Sequence, residues 1–337
     1  MTTISTLELV PCPLCAEISR FLPLRVRYRD DHIAATRALY GDRDKSEWKA
    51  CGTCGFVHQN PRPSIDALNA FYASGDYHEQ PQNYTEAAPY MKFARWYYGD
   101  KVDYAIAQSG IARGRVFDMG FGYGGVLRLF RDRGWDVAGR EPDPRLARFA
   151  RDVLDLDGPA HGLVDADMAD TAPVDLVVSN HAFEHVADLH AVMTGLASIM
   201  KPGGHIFTVV PTYAANRSSM SLRWMNSAHY SLFTRASLDQ LMVRYGFEPV
   251  TSSYRAWRKE IDDVWHLARF TGRAGDPTRF YEDPRAVSRF VNWINPVRSA
   301  LFAPVFANYP QRVQRVLYVQ EGLKLVARRL LGRPSES

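Results

Sequence analysis

The sequence predicts an α/β protein built on a mainly parallel sheet with helices on both faces. Two observations carry this. Apolar strand-like runs near 115–118, 136–140, 174–179 and 204–210 alternate with helical stretches near 124–133, 143–154, 188–200 and 235–245. The run Val116-Phe-Asp-Met-Gly-Phe-Gly-Tyr-Gly124 then reads as a buried strand passing through a glycine turn into a helix, whose free N–H groups face the turn. At 337 residues, 46% hydrophobic and 23% charged, the chain has room for a sizeable core and more than one domain.

Taken in order, the expected units are a cysteine-bearing segment at 1–60, a linker and helical lid at 61–113, a nucleotide-binding domain at 114–254 and a basic, mainly helical extension at 255–337. All four cysteines lie in the first unit, as Cys12-Pro-Leu-Cys15 and Cys51-Gly-Thr-Cys54. Two C-x-x-C knuckles suit tetrahedral zinc, and four thiolates would close its coordination shell, which makes the expected role structural. Disulfides or a redox dithiol are the competing readings; the first fits poorly with an N-terminus lacking a secretion signal, the second with a duplicated motif. A loop or hairpin is expected between the pairs, around Arg25 to Lys49.

Gln59-Asn-Pro-Arg-Pro-Ser64 reads as a linker, with Ser64 as N-cap of a helix over Ile65 to Ala73. Tyr77 and His78 are candidate lid residues or packing residues. Pro89 to Gln108 reads as a helix whose stripe of Tyr90, Phe93, Ala94, Tyr97, Tyr98 and Val102 faces the core.

In the central unit Gly120, Gly122 and Gly124 allow φ > 0 and close approach of a ligand. Glu141, at the end of the next strand, is placed to accept hydrogen bonds from ribose hydroxyls. These features alone fit a dinucleotide equally well. The later segments Val174-Asp-Leu-Val-Val-Ser-Asn-His-Ala-Phe-Glu-His-Val186 and Met200-Lys-Pro-Gly-Gly-His205 decide between them. With the glycine turn and Glu141 before them, residues 114 to 254 resemble the class I S-adenosylmethionine-dependent methyltransferases.

That resemblance implies a Rossmann-like core with a seven-stranded sheet and S-adenosylmethionine as cofactor. It assigns Asp118, Gly120, Phe121, Gly122 and Gly124 to the methionine end, and Glu141 with Pro142 to the ribose end. Asp167, or else Asp165, would flank the adenine with Met168. Asn180 and His181 would floor the methyl-transfer site. Phe121 stands where the family usually has a small residue. Small zinc ribbons precede the core in some of these enzymes, including sugar C-methyltransferases, whose further C-terminal nucleotide-binding-like domain has no counterpart in residues 255–337.

Arg217 to Asn226 and the following Ala228-His-Tyr-Ser-Leu-Phe-Thr234 resemble the family's substrate-side loop, with Thr234 as the N-cap of the next helix. If the acceptor is a hydroxyl, a histidine suits the task of taking its proton. His229 is the leading candidate; His181 and the pair Glu184 and His185 are the others.

The net charge of +4 is unevenly placed, with the excess of Lys and Arg beyond Thr251. Aromatics there alternate with arginines, and Leu323-Lys-Leu-Val-Ala-Arg-Arg-Leu-Leu331 reads as a basic amphipathic helix. A helical cap, an oligomer contact, and a peripheral surface for membrane or nucleic acid all fit. No run of roughly 18 apolar residues is present, so no membrane-spanning helix is expected, and a cytoplasmic location follows. The expected activity is methyl transfer to a small molecule or glycan, at oxygen in preference to carbon or nitrogen. An RNA acceptor gripped by ribbon and basic tail, or a non-catalytic zinc-ribbon scaffold, are the alternatives.

Overall fold

The structure, a computed structural model, describes residues 7–24, 39–40, 46–74, 84–214, 225, 228–257 and 261–292. Tyr77, His78, the stretch 215–224 and the basic helix at 323–331 lie outside the described residues, as does most of the expected loop between the cysteine pairs.

The alternating pattern gives a seven-stranded sheet. Its strands are β6 (Arg115–Met119), β7 (Asp136–Glu141), β8 (Pro159–His161), β9 (Val174–Asn180), β10 (Met200–Pro211), β12 (Phe247–Trp257) and β13 (Ile261–Phe270). They lie in the order β12-β13-β10-β9-β6-β7-β8. The run from β10 to β8 is parallel throughout, and β13 is antiparallel to both of its neighbours. This is the Rossmann-like methyltransferase fold. The chain leaves β6 toward β7 and β8, then returns to place β9 on the other side of β6. That reversal opens a crevice at the carboxyl ends of β6 and β9, where ligands bind in sheets of this kind.

Alternate side chains along the strands feed two cores. Val116, Leu176, Val178, Phe207 and Val209 pack on the face covered by α2 (Ala87–Ser109), α3 (Gly125–Arg131) and α4 (Pro144–Asp152). Phe117, Val177, Ile206 and Val210 face α5 (Leu189–Ser198) and α6 (Arg235–Arg244). The helix starts are capped as their sequences dictate: Asp143 accepts from Arg145 N–H with Pro144 beside it, and Thr234 and Ser237 form a reciprocal capping box. Upstream, α1 (Ile65–Ser74) starts at Ser64, whose Oγ accepts from Ala67 N–H at 3.3 Å.

The cysteine-bearing segment contributes β2 (Phe21–Pro23), β3 (Trp48–Cys51) and β4 (Val57–Gln59), while β1 (Leu7–Glu8) pairs with β5 (Arg62–Pro63). A fourth ribbon strand comes from far downstream: β11 (Ser231–Leu232) pairs antiparallel with β4. The ribbon is therefore woven into the rest of the chain, and Cys12, Cys51, Cys54 and Phe56 share one apolar core with Phe233 and Leu238.

The boundary expected at 254 falls inside β12. The extension expected as mainly helical instead begins with strand: residues 255–257 and 261–270 complete the sheet, and a helical stretch at 284–292 sets Val287 and Val291 against Trp48 and Val57 of the ribbon. No described helix is long and apolar enough to cross a membrane.

Candidate active site and metal-binding residues

One side of the crevice is made by backbone at the end of β6. Gly120, Gly122 and Gly124 all take positive φ, at 70°, 55° and 84°. Gly122 is the informative one, since a Cβ built there would meet nothing within 4 Å. The turn is thus bent around open space, which a ligand can occupy. Helix α3 follows directly, and its Gly125 N–H donates to the Tyr90 hydroxyl at 3.0 Å, so α2 clamps the start of α3. Of the expected packing stripe, Tyr90, Ala94 and Val102 are buried in the core and Phe93 and Tyr98 pack partly against it, while Tyr97 lies under Lys101 instead; Tyr90 adds a polar tie that the stripe did not foretell.

Glu141 sits at the end of β7, almost fully buried. Its Oε2 accepts from Gly122 N–H at 2.9 Å and its Oε1 from Asp143 N–H at 3.0 Å. Burial pushes its carboxyl up to about 7, against the pull of those two N–H groups. Asp118 is buried too, and burial followed by the neighbouring Glu141 raises it well above the usual carboxylate range. A turn bent around open space, a carboxylate at the strand end and a second acid beneath it fit the methionine and ribose ends of S-adenosylmethionine. Pro142 follows Glu141 and its carbonyl lies 3.1 Å from His161 Nε2. Phe121 differs from its assignment: it is buried in the core beside Gly139 and Leu127, leaving only its backbone to the turn. Met168 is buried, while Asp165 and Asp167 are exposed in one loop, where Asp165 Oδ1 accepts from Asp167 N–H at 2.9 Å.

The other side of the crevice starts where β9 ends. His181 has φ of 55°, a strained conformation for a residue with a side chain, and its N–H is pinned to the Val209 carbonyl at 2.8 Å. The imidazole is thereby set between two fully buried carboxylates. Its Nε2 lies 3.2 Å from Asp263 Oδ1 and its Nδ1 3.6 Å from Glu184 Oε1. Burial raises Glu184 to about 7, with His181 as the main opposing influence. Next to them Lys101 of α2 donates to Asn180 Oδ1 at 2.6 Å and lies 4.3 Å from the Tyr97 ring centre. Its burial pulls it down to about 8, while Asp263 and Glu184 oppose that shift.

His185 and His229 meet edge to face, with ring centres 4.6 Å apart. His185 Nδ1 lies 2.8 Å from the Ala228 carbonyl, and its Nε2 3.9 Å from Glu184 Oε1. His229 is more deeply enclosed than His181, at 5% exposure against 19% for the His181 side chain. His229, His185, Glu184 and His181 therefore form one cluster, of which His181 is the most open. Lys101 and Asp263 belong to it and were not read from the sequence.

The four cysteines converge as their spacing implies. Cys12 and Cys54 Sγ are 3.6 Å apart, Cys15 and Cys51 Sγ 3.5 Å, and all four sulfurs lie within 4.8 Å of one another. None is in a disulfide. A tetrahedron of thiolates at about 2.3 Å from zinc has edges near 3.8 Å, so the donor set fits that ion.

Residues 90–252 match the family model for a methyltransferase domain. The chain is 28% identical over 153 residues to C-methyltransferase NovU of Streptomyces niveus, covering 44% of this chain and 36% of the relative. It is 27% identical over 153 residues to the ubiquinone biosynthesis O-methyltransferase of Xanthomonas oryzae pv. oryzae, covering 40% and 62%. The matches thus span less than two thirds of either relative. Among solved structures, the 1,6-didemethyltoxoflavin-N1-methyltransferase of Burkholderia thailandensis is similar with a TM-score of 0.46 and 20% identity, covering 64% of this chain and 96% of the other.

Proposed function

We propose that this chain is an S-adenosylmethionine-dependent methyltransferase that methylates an oxygen of a small molecule or glycan. The observation that carries the reading is the pairing of two half-sites across one crevice. The glycine turn and Glu141 stand on one side, and on the other His181 lies between two buried carboxylates. The two relatives named above as C- and O-methyltransferases support the reaction class.

The cofactor, when bound, supplies a methyl group already activated on a sulfonium. What remains for the protein is to hold the acceptor in line at roughly 3 to 3.5 Å and to exclude water. The backbone of Gly120 to Gly124 would carry the methionine end, and Glu141 would exchange its bonds to Gly122 and Asp143 for ribose hydroxyls. His181, the most open imidazole of the cluster, is the group that takes the acceptor's proton. The nearby charges of Asp263 and Glu184 stabilise the imidazolium that forms, as an acid beside the base does in nucleophile–base pairs. Lys101 holds Asn180 by its carbonyl oxygen and so fixes which way that amide presents its N–H groups. The four cysteines hold a structural zinc, which keeps β3 and β4 in place beneath β11.

The test is transfer of a labelled methyl group from S-adenosylmethionine into fractions of a cell extract. Label in the glycan or small-molecule fraction, lost in His181→Gln with S-adenosylhomocysteine affinity retained, is the expected result. Label confined to RNA, or absence of cofactor binding, would refute the proposal.

A further inference from the structure

We propose that Glu184, His185 and His229 form a second metal site, separate from the cysteine cluster, that takes a divalent first-row cation such as Mn²⁺. One ligand atom from each of the three lies within 4.8 Å of the others. Glu184 is fully buried, and among the described residues neither carboxylate oxygen has a hydrogen-bond partner. A carboxylate held that way is costly unless a cation faces it.

The two imidazoles are prepared for the task. The Ala228 carbonyl can only accept, so the 2.8 Å contact places the proton of a neutral His185 on Nδ1 and leaves the lone pair on Nε2, the atom nearer Glu184. His229 is held through its backbone: Gln59 Nε2 donates to its carbonyl, and the next residue, Tyr230, donates its N–H to the Glu184 carbonyl at 2.7 Å. Gln59 N–H in turn donates to the Tyr230 carbonyl at 2.9 Å. Carboxylate and imidazole come from segments tied to each other and to the ribbon, so little rearrangement is needed to close on an ion.

Two imidazoles and one carboxylate suit Mn²⁺, Fe²⁺, Co²⁺ or Zn²⁺, and leave coordination positions open. The four thiolates prefer zinc. Glu184 Oε1 also lies 3.6 Å from His181 Nδ1, which puts the site next to the acceptor end of the crevice. If the proposed methyl transfer holds, the cation binds an acceptor carrying two adjacent oxygens and lowers the pKa of the hydroxyl that reacts. Under this assignment His229 is a metal ligand, and its imidazole is not the proton acceptor.

Zinc-loaded protein is titrated with Mn²⁺ while the free ion is followed by electron paramagnetic resonance. The expected result is a single Mn²⁺ per chain, with affinity at least roughly tenfold weaker in Glu184→Gln and His229→Asn and largely retained in His181→Gln. Should Glu184→Gln fail to fold, the partly exposed His185→Gln makes the same test. No bound Mn²⁺, or binding of equal strength in all variants, overturns the site. Calorimetry with S-adenosylhomocysteine and labelled methyl transfer, each with and without Mn²⁺, separates the two readings. Mn²⁺ bound without methyl transfer leaves the metal site standing alone. Methyl transfer with no Mn²⁺ bound leaves only the enzyme.

Discussion

The proposed cofactor cradle is made by chain neighbours, Asp118 to Gly125 with Glu141 one strand on, whereas the proposed acceptor side gathers Lys101, Asn180 to His185, His229 and Asp263 from four separate parts of the chain. In the first, backbone conformation does most of the work, and only glycines and two acids, Asp118 and Glu141, are restricted. In the second, side chains do the work, and each depends on a different element staying in place. A site of the first kind tolerates change around it and keeps one ligand. A site of the second kind can be retuned residue by residue, which is where acceptor choice resides.

The sharpest way to break this contrast is His181→Gln. A lost general base lowers turnover by about 10² to 10⁴-fold, and here the loss is expected with S-adenosylhomocysteine affinity unchanged by calorimetry. A parallel fall in affinity would mean that the two sides are not separable. Glu141→Ala is the converse: loss of charge-assisted bonds worth about 1.5 to 3 kcal/mol each weakens cofactor binding by roughly 10²-fold, read in the same titration.

The pH dependence of binding sharpens the point. In the proposed binding mode Glu141 must be ionised to accept ribose hydroxyls, and burial holds its carboxyl at about 7. Affinity therefore rises with pH, by up to about tenfold per unit below 7, and levels off above it, a slope that Glu141→Gln abolishes. The sign for the unliganded fold is opposite. A carboxyl whose folded pKa is raised contributes stability at low pH, which is lost as pH climbs through the ordinary carboxylate range toward 7; thermal melts without ligand should show that fall.

The smallest expected effect is that of Gln59→Ala. This removes a side-chain donor to the His229 carbonyl, a bond worth about 1 kcal/mol, so turnover drops about fivefold while cofactor affinity stays put.

Legibility in the sequence followed the same division. The strands β6, β7, β9 and β10, the glycine turn and Glu141 were readable because period-two apolar runs and glycines leave local marks. The cysteine pairs were readable from spacing. Lys101 was not, because a lysine in an amphipathic helix pattern reads as a solvated face, and only the fold reveals that it is buried against Asn180. Asp263 was hidden for a related reason: Ile261-Asp-Asp-Val-Trp265 breaks the apolar alternation, so β13 left no clear strand signal. His181 was named as a candidate, but its positive φ, which aims the ring at two acids, is a tertiary outcome. Phe121 was drawn into the cofactor set by its place in the motif, while its side chain went to the core. The two-residue β11 has no periodicity from which its pairing with the ribbon could be read.

That pairing has a consequence for the order of assembly during synthesis. The cysteine knuckles are complete once Cys54 has left the ribosome, yet the sheet they support lacks its edge strand until Ser231 and Leu232 emerge. The cofactor-side strands and turn, from Arg115 to Glu141, are made in between. The ribbon is thus an early template that waits, with β4 as an open edge, for a late segment that carries His229 into place as it docks. Translation completes the cofactor cradle first and the acceptor side last.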